Sequence, residues 1–437
     1  MPRTSRFSAC ALVLLVPSMA AAQTAPHNAE MEKVDTQEAP PPAGITGDWG
    51  GLRTRLSDSG INAAASYVSE TAGNYNGGTR QLVTETGQFA LSFTADMERL
   101  AGLGGVFQAT ITDRRGDDLG ANANLGVTQL VQEVYGRGQT ARLTQLWYEQ
   151  TMDQFALKLG RATVGEDFDN FPCYFMNLSF CGSAPGNLVG SYWYNWPVSQ
   201  WTARLRYNDG DRYLQGAVYE INPHNLDDNF SFGKFDGATG VMVPVELGWD
   251  PDPAAKTGIG TYKIGGWYSN APGDDVYLDI DRQPRVLTGA PALRRGDRYG
   301  VWFSGQQQIF GEAEKGKFLS GLAVFLNVTY TDHRTSTLDD QIAGGVWWKG
   351  AIPRFPDDVI GFAIARTHVN ALVARAEALD PAAPPIQHAE YAGEIYYSLH
   401  PFDWIEMRPN LQLIHHPGGV GNAADVGIMG LKMAITL

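Results

Sequence analysis

The chain has 437 residues, a formal net charge of −14, 43% hydrophobic and 11% aromatic residues, 50 glycines and three cysteines. Net acidity excludes a nucleic-acid backbone as partner, since phosphates require cationic patches. Beyond residue 22 no run approaches about 18 consecutive apolar residues, which excludes membrane-spanning helices.

The first 22 residues read as an export signal. Arg3 and Arg6 start it, Phe7 to Val16 is a short apolar stretch, and Pro17 breaks it. Ala20, Ala21 and Ala22 offer small-residue cleavage before Gln23. Cleavage removes two arginines and no acid, taking the charge from −14 to −16. Cys10 lies inside the apolar stretch, without a lipoprotein arrangement at the cleavage point. Only Cys173 and Cys181 then remain, with seven intervening residues. In an oxidising compartment they most simply close one small disulfide loop. A metal pair would need further His or Cys ligands, and none lies between Phe171 and Gly186.

Residues 23–46 are rich in Ala, Pro, Gln and Glu, include Pro40-Pro41-Pro42, and read as a flexible leader. Residues 47–437 form one domain. At its entry Asp48 is placed to cap a short helix, Trp49, Leu52 and Leu56 share one face, and Gly60 suits the position after its end. From Ile61 onward the pattern has period two. Phe89, Leu91 and Phe93 alternate with Gln88, Ala90 and Ser92, and Phe107, Ala109 and Ile111 with Gln108, Thr110 and Thr112. The same holds for Trp201 to Tyr207, Val241 to Leu247 and Ile405 to Leu413.

Such strands build a soluble sandwich or a membrane barrel, whose apolar side meets lipid and whose polar side lines a wet lumen. Three features favour the barrel. Alternating segments recur along the whole domain. Aromatics gather at segment ends, as Trp147-Tyr148, Tyr192-Trp193-Tyr194, Trp347-Trp348 and Tyr396-Tyr397, where interfacial girdles need them. Connections alternate between short turns such as 208–211 and long polar loops such as 116–140 and 272–297.

Four stretches resemble the OprB-type carbohydrate-selective outer-membrane porins: Gly47 to Ile61, the cysteine loop Phe168 to Gly182, Trp196 to Tyr207, and Pro409 to Gly419. They occur in that family's order across nearly the whole mature chain. The resemblance implies an all-β fold, a transmembrane antiparallel β-barrel of about 16 strands with a short N-terminal periplasmic helix and loops folding into the pore. It further implies the Gram-negative outer membrane, passive uptake of monosaccharides such as glucose, and a channel working as a monomer or weak homo-oligomer. Outer-membrane lipid and the barrel-assembly machinery are the implied partners, with no cofactor. Two features depart from the pattern: the chain ends in Leu437 where porins usually end in Phe, and the leader is long.

A neutral hexose presents hydroxyls around apolar C–H faces, so its channel needs hydrogen-bonding side chains and flat rings, and binding weak enough to release it. The polar phase of the strands supplies both signs of charge: Asp96, Arg114, Glu149, Lys158, Arg204, Arg206, Glu246, Lys263, Glu390, Glu394, Arg408 and Lys432, with Gln88, Gln108 and Gln306. Mixed charge suits a neutral polyol better than phosphate. Arg204, Arg206, Glu149 and Lys158 flank the cysteine loop and are the constriction candidates; Trp193 and Trp196 are candidate stacking rings or lipid-interface anchors. The acidic clusters Gly165 to Asp169 and Asp339-Asp340 lack EF-hand spacing. His415 and His416, adjacent on an expected strand, point to opposite faces and cannot jointly hold a metal.

Rival readings are a porin for organic acids or phosphate, a soluble extracellular carbohydrate-binding β protein, and a glycosidase. For the last, Glu390 and Glu394 on one strand face stand roughly 13 Å apart, beyond the roughly 5–9 Å that paired carboxylates need. No Gly-x-Ser-x-Gly or His-Glu-x-x-His motif occurs, so no catalytic residue is assigned.

Overall fold

The computed structural model describes residues 44–230 and 235–437; the export signal 1–22 and the leader up to residue 43 lie outside them. Period two becomes strand throughout. The chain forms β1 (Ile61–Asn76), β2 (Val83–Asp96), β3 (Val106–Gly116), β4 (Ala141–Met152), β5 (Phe155–Ala162), β6 (Gln200–Asp209), β7 (Arg212–Ile221), β8 (Gly240–Trp249) and β9 (Gly260–Ser269). A loop ribbon of β10 (Gly273–Asp279) and β11 (Ala292–Arg295) precedes β12 (Arg298–Phe310), and the hairpin of β13 (Ala313–Glu314) and β14 (Lys317–Phe318) follows it. Then come β15 (Gly321–Thr331), β16 (Leu338–Lys349), β17 (Val359–Val369), β18 (Ala389–Phe402), β19 (Ile405–His415) and β20 (Val426–Thr436).

Leaving out the two short ribbons, 16 strands close an antiparallel barrel. The seam joins β1 to β20, from Ser66 opposite Thr436 to Asn74 opposite Ile428. Closure removes every sheet edge, which is why apolar strands can face lipid without unpaired backbone. Three prolines sit inside strands, where a missing N–H would break a ladder. Pro401, near the end of β18, falls between the pairs Leu399–Met407 and Phe402–Ile405. Pro244 falls in the gap between the pairs Gly216–Val245 and Tyr219–Met242, and Pro409 in the gap between Tyr396–Asn410 and Leu399–Met407.

Burial is inverted relative to a soluble sheet. Phe89, Leu91 and Phe93 are exposed on the outer wall, while Gln88, Ala90 and Ser92 are buried inside. The same division separates Val241, Val243, Val245 and Leu247 from Met242, Pro244 and Glu246. Outward rings collect in two belts. Near the short turns lie Phe155 against Tyr207 at 5.2 Å and Phe310 against Trp348 at 5.6 Å. Near the long loops Tyr268 stands opposite Tyr299, with exposed Tyr330 and Tyr391 at the same level.

The aromatic pairs read from sequence as girdles need correction. Adjacent strand residues face opposite ways, so Tyr148, Trp348 and Tyr397 are less enclosed on the outer face whereas Trp147, Trp347 and Tyr396 are buried inside. Tyr192, Trp193 and Tyr194 are all buried in an inward loop. The entry helix α1 (Leu52–Asp58) forms at the end of the short turns, preceded by a 3-10 turn over Trp49–Gly51. Gly51, not Asp48, holds the N-cap, and Asp48 Oδ1 accepts the Thr54 amide at 2.9 Å from further back. Gly60 does take the left-handed conformation, φ 91°. His415 ends β19 and His416 turns to φ 53°, so their rings stack at 3.7 Å instead of pointing apart.

Candidate pore constriction

Two loops fold into the lumen: residues 117–140 between β3 and β4, and residues 163–199 between β5 and β6. The second crosses the barrel as a strap. It begins with α2 (Val164–Asp167), whose Thr163 and Glu166 form a reciprocal capping box. The cap aims Glu166 and Asp167 at the adjoining wall. Lys158 Nζ lies 2.7 Å from Asp167 Oδ1 and 3.3 Å from Glu166 Oε1. Arg204 Nη1 lies 2.6 Å from Asp167 Oδ1, and its Nη2 pairs with Glu149. Tyr219 donates its hydroxyl to Asp167 Oδ2 at 2.9 Å. Burial pushes the Asp167 carboxyl upward, but Arg204 and Lys158 outweigh it and hold the group below its ordinary value.

The strap's far side is fixed differently. Cys173 and Cys181 are joined by a disulfide. Glu394 accepts the amides of Met176 and Asn177 at 2.9 and 2.8 Å, and Arg408 donates to the carbonyls of Cys173 and Tyr174 at 3.2 and 2.8 Å. Phe171, Tyr174 and Phe175 pack on Phe325, Trp347 and Tyr396 with ring centroids 4.8–5.0 Å apart. Midway, the Asp169 amide donates to Glu246 Oε2 at 2.8 Å. Burial and neighbouring Glu246 push the Asp169 carboxyl well above its usual range.

The candidates named from sequence therefore separate. Arg204, Glu149 and Lys158 come together, buried, in a latch between wall and strap. Arg206 lies apart, bonded to Asp250 at 3.0 Å with its guanidinium 3.6 Å from the Tyr213 ring. Trp193 is 0% exposed, enclosed by Trp267 and Trp302 at 5.0 and 5.4 Å, so neither a sugar nor lipid reaches it. Trp196 is half-buried and donates Nε1 to Gln88 Oε1 at 2.9 Å, an atom that also accepts from Arg114 Nε at 2.8 Å. Both acidic clusters are engaged by cations or histidine: Glu166 and Asp167 as above, and Asp340 and Asp339 with Arg366 at 2.5 Å and His368 at 2.7 Å.

Strand periodicity could not find the loop partners. Glu133 approaches Arg114 Nη2 to 4.0 Å, and Arg137 donates to the carbonyls of Gly190 and Gly186 at 2.8 Å each. Burial and nearby Arg114 push the Arg137 guanidinium down to about 10. Glu133, Arg137 and Trp196 keep partial exposure where the two loops meet. The two loops thus keep both charge signs and one indole partly exposed.

Comparison with known proteins decides what this barrel belongs to. Residues 80–437 match the carbohydrate-selective porin, OprB family. The chain belongs to that family. The porin is 43% identical over 411 residues to Porin B of Pseudomonas aeruginosa, covering 89% of this chain and 90% of that protein. It is 32% identical over 423 residues to the putative porin QuiX of Acinetobacter baylyi, covering 90% and 92%. Among solved structures, the high-pH structure of Pseudomonas putida OprB superposes with a TM-score of 0.86 at 38% identity, covering 91% of this chain and 99% of that one. A 16-stranded barrel in this family is a protein of the Gram-negative outer membrane.

Proposed function

We propose that this porin passes monosaccharides such as glucose by passive diffusion through the gap between its two inward loops. Glu133, Arg137 and Trp196 are the groups that touch the sugar, and buried Arg114 and Gln88 position them from behind. The observation that carries the reading is the run of contacts from half-buried Trp196 through Gln88 and Arg114 to half-buried Glu133, with Arg137 tying the two loops beside it. Carboxylate and guanidinium replace the water a hydroxyl loses, and an indole edge covers a C–H face. Glu149, Lys158 and Arg204 serve the same pore at one remove by holding the strap, since their charges are already paired. Residues 1–22 act as the export signal, the closing strand β20 is what the assembly machinery recognises, and each barrel conducts independently.

The test is reconstitution. Purified porin in planar bilayers should show ion current blocked by glucose, and liposomes should swell faster in hexose than in organic anions of similar size. Trp196→Ala and Glu133→Gln should each weaken the block several-fold. Equal swelling with all small solutes would overturn sugar selectivity, and unchanged block in both variants would remove this gap as the site.

A further inference from the structure

One ammonium group fastens both inward loops. Lys432, on β20 and 2% exposed, places Nζ 2.9 Å from Glu133 Oε1, 3.0 Å from Glu70 Oε1 and 3.3 Å from the Phe175 carbonyl. These acceptors belong to loop 117–140, to the wall strand β1 and to the strap. The ammonium donates to Glu133 and to the Phe175 carbonyl and forms an ion pair with Glu70. Glu70 reaches the same turn separately by accepting the Val134 amide at 3.0 Å. On the next strand Gln412 bridges both loops without charge, donating to the Val131 carbonyl and accepting from Asn177 Nδ2, each at 2.9 Å.

We infer that Lys432 is a positioning residue for solute selection. By holding one oxygen of Glu133, it leaves the other turned to the gap and sets the spacing between the loops. The inference rests on the gap between those loops being the sugar path. Without the ammonium, two buried carboxylates, Glu70 and Glu133, face each other with no cation between them, and like charges so placed repel. Glu133 then moves toward Arg114, the cation already 4.0 Å from its second oxygen, and neutralises it. Gln412 keeps the loops attached but supplies no charge to prevent that shift.

Three variants test this in bilayers and liposomes: Lys432→Met, Lys432→Arg, and Lys432→Met combined with Glu70→Gln. The readouts are glucose block of single-channel current and the swelling rate in hexose relative to disaccharide. Lys432→Met should lower both several-fold, and Lys432→Arg should restore most of the loss. The double variant removes the orphaned wall carboxylate, so it assembles even if the single one does not, and it should stay defective in selection. Recovery of wild-type block in the double variant would reduce Lys432 to a structural counter-charge and overturn the inference, as would wild-type behaviour of Lys432→Met. Glu133→Gln, run alongside, reports on the path itself. If it changes nothing, the gap reading fails; if it weakens block while the Lys432 variants do not, only the role of Lys432 fails.

Discussion

The two ends of the strap are held by different chemistry. At β4 to β6 the attachment is side chain to side chain: Asp167 and Glu166 of the loop meet Lys158 and Arg204 of the wall. At β18 and β19 it is side chain to backbone, with Glu394 and Arg408 gripping peptide groups and three aromatic rings packing beside them. The first end depends on which residues the loop carries. The second rests on where its backbone runs, with the side chains of Phe171, Tyr174, Phe175 and Asn177 added to it, so a loop substitution there spares the grip of Glu394 and Arg408 while a wall substitution breaks it.

Variants can break that contrast, and the largest effect belongs to the charged end. Asp167→Ala leaves buried Lys158 and Arg204 short of a shared partner, and breaking a buried pair costs about 3–5 kcal/mol. Urea unfolding of the detergent-solubilised barrel should register the loss, together with noisier, larger single-channel current. Glu394→Ala strands the amides of Met176 and Asn177 and should cost about 2–3 kcal/mol, read in the same assay. Asn177→Ala, which leaves its amide on Glu394, should cost less.

Asp169 sharpens the comparison by pH. A carboxyl whose folded-state value lies above its unfolded one stabilises at low pH and loses that contribution as pH rises through the folded value. Asp169→Asn, which tolerates the left-handed backbone at φ 48°, should therefore be neutral in acid. It should be more stable than wild type by on the order of 1 kcal/mol once the pH has risen past the raised folded-state value. The smallest effect is Arg206→Ala. Arg206 bonds Asp250, beyond the short turn, and not the strap, so glucose block should be unchanged. A weakened block would return Arg206 to the constriction.

Much of the wall was legible in the sequence. A lumen-facing residue alternates with a lipid-facing one, so Gln88, Arg204, Glu246 and Arg408 were placed inside by phase alone. The constriction was not. Trp193 looked like a stacking ring because nothing local records that Trp267 and Trp302, distant in sequence, enclose it. Glu133 and Arg137 gave no signal, because loop residues have no period and their partners come from afar: Arg114 on β3 and Lys432 on β20 for Glu133, the strap carbonyls of Gly186 and Gly190 for Arg137. The Thr163–Glu166 capping box was the one local cue that the acidic cluster opened a helix instead of a solvated loop.

Local pattern therefore determined the barrel: period two is a property of the extended backbone, readable residue by residue, and glycines at turns and prolines at ladder gaps obey the same local sterics. Only the tertiary structure decided the pore. Which charges stay open to a solute depends on which are cancelled by groups brought from elsewhere in the chain, and burial with pairing is a long-range outcome. Lys158 and Arg204 were cancelled and buried by the strap, while Arg137, and Glu133 with one oxygen held by Lys432, stay partly exposed where two loops meet.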